Sequence, residues 1–204
     1  MSDAQLVCVV DDDESVRLSL RALLEASAYT VNDFDSALRF LASDALGRCD
    51  CLVVDVRMPE MNGLALQEEL NRRGRVFPVI VITGHGDVPL AVRAMKAGAL
   101  DFIEKPFDGE VMLASVGRAL EVSRATRDEA AEARAAKDLL DLLTPRERNV
   151  LEQLVAGRSN KVAAYELGIS PRTVEIHRAR IMDKFNVRSL SEVVRIALTA
   201  TRFG

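Results

Sequence analysis

Residues 7–13 read VCVVDDD, residues 51–59 read CLVVDVRMP and residues 101–106 read DFIEKP. Each opens as an apolar run and ends in charge, as a strand does when it leaves a buried sheet for a loop. Asp11, Asp12, Asp55 and Lys105 therefore stand at three strand ends. If these strands are parallel neighbours, three carboxylates and one ammonium converge on one edge of a sheet. Carboxylates held that close repel unless a cation lies among them. A divalent ion with oxygen ligands, Mg²⁺ above all, suits such a set. A metal, a carboxylate and a fixed lysine together can stabilise transfer of a phosphoryl group onto the carboxylate.

Further Val- and Ile-rich runs occur at residues 6–10, 51–55 and 79–83, with shorter ones at 29–34 and 101–103. Continuous apolar runs of this kind fit strands buried on both faces. Helical patterns lie between them. Val16, Leu20, Leu23 and Leu24 share one face, with Asp13 placed to cap it. Leu64, Leu66 and Leu70 mark another, as do Leu90, Val92 and Met95, and then Leu113, Val116 and Leu120; residues 36–46 supply the remaining helix. Five strands alternating with five helices predict an α/β, doubly wound, five-stranded parallel sheet of order 2-1-3-4-5. Ligands bind such sheets beyond the carboxyl ends of the strands, where the winding reverses. For this order the reversal falls between strands 1 and 3, beside Asp11, Asp12 and Asp55.

Composition agrees with a globular chain. Of 204 residues, 49% are apolar, 28% charged and 4% aromatic, and no stretch approaches the roughly 18 uninterrupted apolar residues of a membrane span. The start, MSDAQLV, is acidic and lacks a signal sequence, so a cytoplasmic protein with no membrane partner is expected. Cys8, Cys49 and Cys51 read as buried apolar side chains in a reducing compartment. Charge is uneven: net −8 over residues 1–121, zero over 122–138 and +4 over 139–204. An acidic first part joined to a basic last part predicts two domains with different partners, the second a nucleic acid.

The series VVDDD, VVDVRMPEMNG, VITGHGD and KAGALDFIEKPF resembles the receiver domain of two-component response regulators, over residues 4–121. The resemblance implies phosphorylation of Asp55 by a sensor histidine kinase. Asp12 and Asp55 would bind Mg²⁺ directly, Asp11 through water, and the backbone carbonyl of Arg57 would be a further ligand. Lys105 would pair with the phosphoryl group, Pro106 would follow a cis peptide bond, and Thr83 and Phe102 occupy the two switch positions. VITGHGDVPLAV with KPF looks like the FixJ subgroup. His85 sits in a Gly-flanked loop with no partner identifiable from sequence. A metal-dependent phosphatase with Asp55 as nucleophile would need a second acid or base two residues on, where this chain has Arg57.

Residues 122–138 are Ala-rich with mixed charge and no Gly or Pro, a helical linker by composition, with opposite charges spaced as in Arg124–Asp128. Residues 139–204 then read as four helices. Thr144, Pro145 and Glu147 form a capping box, Gly157 stops the first helix, Ser159 caps the second and Gly168 ends it. Ser170 and Pro171 open a third helix over about 172–185, and Ser189 caps a fourth running to about 201. Two helices joined by a Gly-containing turn make a helix-turn-helix. On the third, Val174, His177, Ile181 and Phe185 should face inward, and Glu175, Ile176, Ala179, Arg180 and Asp183 outward. An outward Ile176 suits a thymine methyl and Arg180 a guanine or phosphate, while Arg172, Thr173 and Lys184 are placed to hold the backbone. Arg178, near the boundary, is equally suited to an ion pair.

The segment LTPRERNVLEQLVAGRSNKVAAYELGISPRTVEIHRARIMDKF closely resembles the LuxR-type DNA-binding domain. The two resemblances together imply a transcriptional response regulator that forms a homodimer when phosphorylated and binds double-stranded DNA, with RNA polymerase as a further partner. A constitutive DNA-binding protein whose receiver is only an interaction module is the alternative. The intact set of Asp11, Asp12, Asp55, Thr83 and Lys105 speaks against it.

Overall fold

The computed structural model describes residues 5–84 and 88–201, and His85 lies outside them. The chain divides into two compact units, Met1–Ala125 and Thr126–Gly204.

In the first unit, β1 (Leu6–Val10), β2 (Thr30–Phe34), β3 (Cys51–Asp55), β4 (Val79–Thr83) and β5 (Asp101–Glu104) form one parallel sheet of order β2-β1-β3-β4-β5. Every residue of β1, β3 and β4 is buried, because helices cover both faces. On one face Val7, Val9, Cys51, Val53, Ile80 and Ile82 pack under α1 (Glu14–Ala26) and the start of α5 (Gly109–Asp141). On the other, Cys8, Val10, Leu52, Val54 and Val81 pack under α2 (Ala37–Leu41), α3 (Gly63–Arg72) and α4 (Val88–Lys96). The period-two alternation of side chains along each strand makes this division. All three cysteines are buried and unpaired. The winding reverses between β1 and β3, as the order read from sequence requires.

Two helices differ from expectation. The segment 36–46 breaks after Leu41, and a short 3₁₀ turn, Asp44–Gly47, follows. Ser43 Oγ donates 2.8 Å to the Phe40 carbonyl and ends α2 there. Phe40 is meanwhile held between Phe34 and Phe77, at ring-centre distances of 5.4 and 6.5 Å. In α4 only Ala94 is buried, and Val92 and Met95 face solvent at 45% and 48% exposure.

The helix α5 continues without a break to Asp141, so the Ala-rich stretch is helical throughout. In the second unit, α6 (Pro145–Val155), α7 (Asn160–Leu167), α8 (Pro171–Phe185) and α9 (Leu190–Thr201) enclose a core that includes Val150, Leu154, Ala163, Val174, Ile181 and Val193. Thr144 and Glu147 make the full capping box at the start of α6. Gly168, at φ +63°, turns the chain between α7 and α8, and the Ser170 side chain caps α8. Among the described residues no helix is long and apolar enough to cross a membrane.

Candidate functional site

The strand register gathers the charged residues of the first unit. Val10 lies beside Val54, Asp55 beside Ile82 and Thr83 beside Glu104, so the residues that end or follow these strands share one edge. Asp11 and Asp55 are 1% and 5% exposed, and the Lys105 Nζ bridges them, 2.6 Å from Asp11 Oδ2 and 2.7 Å from Asp55 Oδ1. Burial raises the Asp11 carboxyl above its ordinary range despite its bonds to Lys105 and to the Asp13 N–H. Burial opposes the Lys105 charge as well. Its bonds to the two carboxylates prevail, and its pKa stands raised.

Backbone contacts fix the loops that carry these groups. The Asp13 N–H donates 2.9 Å to Asp11 Oδ1, and the Arg57 N–H donates to Asp55 Oδ2. The Lys105 N–H donates 2.7 Å to the Thr83 carbonyl, and Lys105–Pro106 is a cis peptide. Two supporting residues escape sequence reasoning. The Arg17 guanidinium donates to the carbonyls of both Asp11 and Asp12, at 2.9 and 3.1 Å, and its Nε lies 3.5 Å from Asp33 Oδ2. Gly63 brings the start of α3 against β3, where an added Cβ would stand 2.2 Å from the Asp55 carbonyl oxygen. Nothing in the pattern around Arg17 marks it, because its partners are backbone carbonyls. The Gly that closes VVDVRMPEMNG was the available signal for the second.

Asp12 does not join the cluster. Its side chain is exposed, and among the described residues no three acidic, His or Cys side chains stand together ready to hold a metal. The Lys105 ammonium lies between the two buried carboxylates, Asp11 and Asp55. The donor set still fits a hard divalent cation in its chemistry, since Asp11, Asp12 and Asp55 offer carboxylate oxygens at adjacent strand ends. Arg57 is exposed on the loop that follows Asp55. Thr83 is fully buried and follows the alternation of Val79 and Val81 onto the α4 face of the sheet, where half-buried Phe102 also packs.

On α8, Val174, Ile181 and Phe185 are buried as their spacing predicts, at 0%, 0% and 4% exposure. His177 is only half-buried, and its Nδ1 has no hydrogen-bond partner among the described residues. Arg172, Glu175, Ile176, Ala179 and Arg180 are exposed. The Thr173 hydroxyl bonds to that of Ser170 at 2.8 Å and so serves the cap. Arg178 donates 2.7 Å to Asn160 Oδ1 on α7. The Nζ of Lys184, expected to hold the DNA backbone, lies 2.7 Å from Glu147 Oε2 and 2.9 Å from the Leu142 carbonyl.

Residues 7–117 match the response regulator receiver domain, and residues 141–197 match the bacterial regulatory proteins of the luxR family. The transcriptional regulatory protein FixJ of Azorhizobium caulinodans is 51% identical over 98% of this chain and 95% of its own length. That of Rhizobium meliloti is 48% identical over 97% of each. Among solved structures, the response regulator StyR superposes with a TM-score of 0.84 at 42% identity, over 96% of this chain and 98% of that one. The chain therefore belongs to the two-component transcriptional response regulators related to FixJ, in which a receiver controlled by phosphorylation is joined to a luxR-type DNA-binding domain.

Proposed function

We propose that Asp55 accepts the phosphoryl group and that α8 reads DNA. The observation that carries the first half is the buried Asp55 carboxylate at the end of β3, with the Lys105 ammonium 2.7 Å from one oxygen. An Asp55 oxygen attacks the phosphorus of a phosphohistidine on the sensor kinase. The P–N bond breaks, the imidazole leaves with a proton, and an acyl phosphate remains. Lys105 follows the new negative charge. The Arg57 N–H holds the second carboxylate oxygen in place during attack. Asp12 and Asp55, the Arg57 carbonyl and, through water, Asp11 would hold Mg²⁺. Held there, Mg²⁺ would supply positive charge against the charge that develops on the phosphoryl oxygens.

The acyl phosphate adds charge beside Lys105, the Thr83 hydroxyl turns toward it and Phe102 follows inward. In this reading residues 4–121 are the receiver, 122–138 the linker and 139–204 the effector. Phosphorylation favours a homodimer of a cytoplasmic protein, and DNA-bound dimers meet RNA polymerase. Apart from its own phosphorylation and dephosphorylation the chain catalyses nothing. On α8, Ile176 and Arg180 face base edges, with Glu175 and Ala179 beside them on the exposed face, and Arg172 and Thr173 lie nearest the phosphates.

Acetyl phosphate with Mg²⁺ should add one acid-labile phosphoryl group, lost in Asp55→Asn and in chelator. Undiminished labelling of Asp55→Asn would remove Asp55 from this role, and steady turnover of phosphomonoesters would make the protein a phosphatase instead.

A further inference from the structure

The tie between Lys184 and Glu147 joins two ends of the DNA-binding unit. Lys184 lies in the last turn of α8, and Glu147 in the first turn of α6. Glu147 is 3% exposed, and its Oε2 gathers three donors: Lys184 Nζ at 2.7 Å, the Thr144 N–H at 2.8 Å and the Thr144 hydroxyl at 2.9 Å. Lys184 also donates to the Leu142 carbonyl just before α6, so its ammonium is anchored at two points. Its neighbour Phe185 inserts into the core that α6 and α8 share. The end of α8 is thus held by a polar tie and a core contact at adjacent residues, while Arg178 ties the middle of the helix to Asn160. Arg180 lies between these ties and Ile176 half a turn before the first, both exposed.

We propose that Glu147 and Lys184 are positioning residues for DNA recognition. They lock the end of α8 to the start of α6 and so set the angle at which Ile176 and Arg180 meet base edges. The inference rests on the reading of α8 as the recognition helix. A phosphate contact by Lys184 is the competing assignment, and it would strand a buried carboxylate with only the Thr144 donors. The three donors, Lys184 foremost, hold the Glu147 carboxyl down to about 2, so it remains a carboxylate across the working pH range.

The test uses the full-length protein with acetyl phosphate. Its probes are a duplex selected from a random pool by the wild-type protein and a scrambled duplex, each titrated over a salt series. Glu147→Gln/Lys184→Met removes both charges and leaves no lone buried ion. This variant should melt near the wild-type temperature, yet its specific-to-nonspecific affinity ratio should fall about tenfold, as for a misplaced base contact. Its salt slope should stay unchanged, since no phosphate contact is lost. Lys184→Gln, a milder change that keeps a donor toward Glu147 and Leu142, should lower the ratio less, again at constant slope. It carries the test if the double variant does not fold. A folded double variant, or a Lys184→Gln protein, with the wild-type ratio would limit the pair to stability and overturn the proposal. So would equal losses on both duplexes with a slope shallower by about 0.9, the mark of one lost phosphate contact. Arg180→Ala separates the two readings. If it leaves the ratio untouched, α8 is not the recognition helix; if it lowers the ratio while the double variant does not, only the positioning role fails.

Discussion

Gly63 and Arg17 show how much of the acidic pocket depends on residues with no chemistry of their own. An alanine at position 63 would place its Cβ 2.2 Å from the Asp55 carbonyl oxygen and 3.0 Å from its carbon, so backbone must move. Such crowding costs about 1–3 kcal/mol. Gly63→Ala should therefore lower the melting temperature and slow labelling of Asp55 by acetyl phosphate, and a wild-type rate with an unchanged melt would contradict the contact. Arg17 holds the carbonyls of Asp11 and Asp12, and two hydrogen bonds at about 1 kcal/mol each should make Arg17→Ala weaken Mg²⁺ binding by up to about thirtyfold by calorimetry. Arg21 pairs with Asp33 and Glu25, so Arg21→Ala is the control that should leave Mg²⁺ affinity intact. Equal losses in both variants would point to the β2 edge rather than the loop. Asp11, Asp55 and Lys105 were legible because a charge ending an apolar run is visible along the chain. Arg17 was not, since a guanidinium aimed at backbone carbonyls leaves no pairing in the sequence.

At the scale of elements, sequence patterns failed wherever a partner on another element decided the outcome. The strands at Leu6–Val10, Cys51–Asp55 and Val79–Thr83 follow their Val and Ile runs to the residue, because burial on both faces demands an uninterrupted apolar stretch. The caps at Asp13, Thr144 and Ser170 were equally legible, being local. Val92 and Met95 follow a helical period yet face solvent, since periodicity fixes a shared face and not what covers it. Lys184 finds its partner 37 residues away, beyond the view of any single-helix projection. That pair also makes a pH prediction. Glu147 falls from the 4.5 usual for glutamate to about 2, chiefly through its bond to Lys184. A lowered carboxyl stabilises the fold above its unfolded value and loses that contribution as pH falls through the folded one. The melting temperature of wild type should therefore exceed that of Lys184→Met at neutral pH, with the gap closing between about pH 4.5 and 2. A gap constant to pH 2 would mean that Lys184 stabilises through its Leu142 contact or its methylene stem instead.

For the whole molecule, the acidic pocket and α8 lie in separate compact units, and the proposed control of DNA binding by phosphorylation runs through a change of state of the receiver. The fourth helix of the receiver supplies a surface for such a change. Val88, Val92 and Met95 are 77%, 45% and 48% exposed, an apolar row on one helix of the kind the proposed dimer would cover. Thr83 and Phe102 pack on the same face of the sheet as α4, so a shift at Thr83 is felt beneath that surface. Acetyl phosphate should then move the protein from monomer toward dimer in sedimentation, and the dimer should prefer two half-sites about one helical turn apart. A coupling of about 1–3 kcal/mol would change DNA affinity by roughly five- to hundredfold. Val92→Asp, which places a carboxylate in the surface and leaves Asp55 untouched, should keep wild-type labelling and lose both the dimer and the gain in affinity. A fragment starting near Leu139 should bind DNA with no response to the phosphoryl donor. If the unphosphorylated full-length protein binds as tightly as the phosphorylated one and stays monomeric after labelling, the receiver does not control the effector. It would then serve as a partner-binding module attached to a constitutive DNA-binding unit.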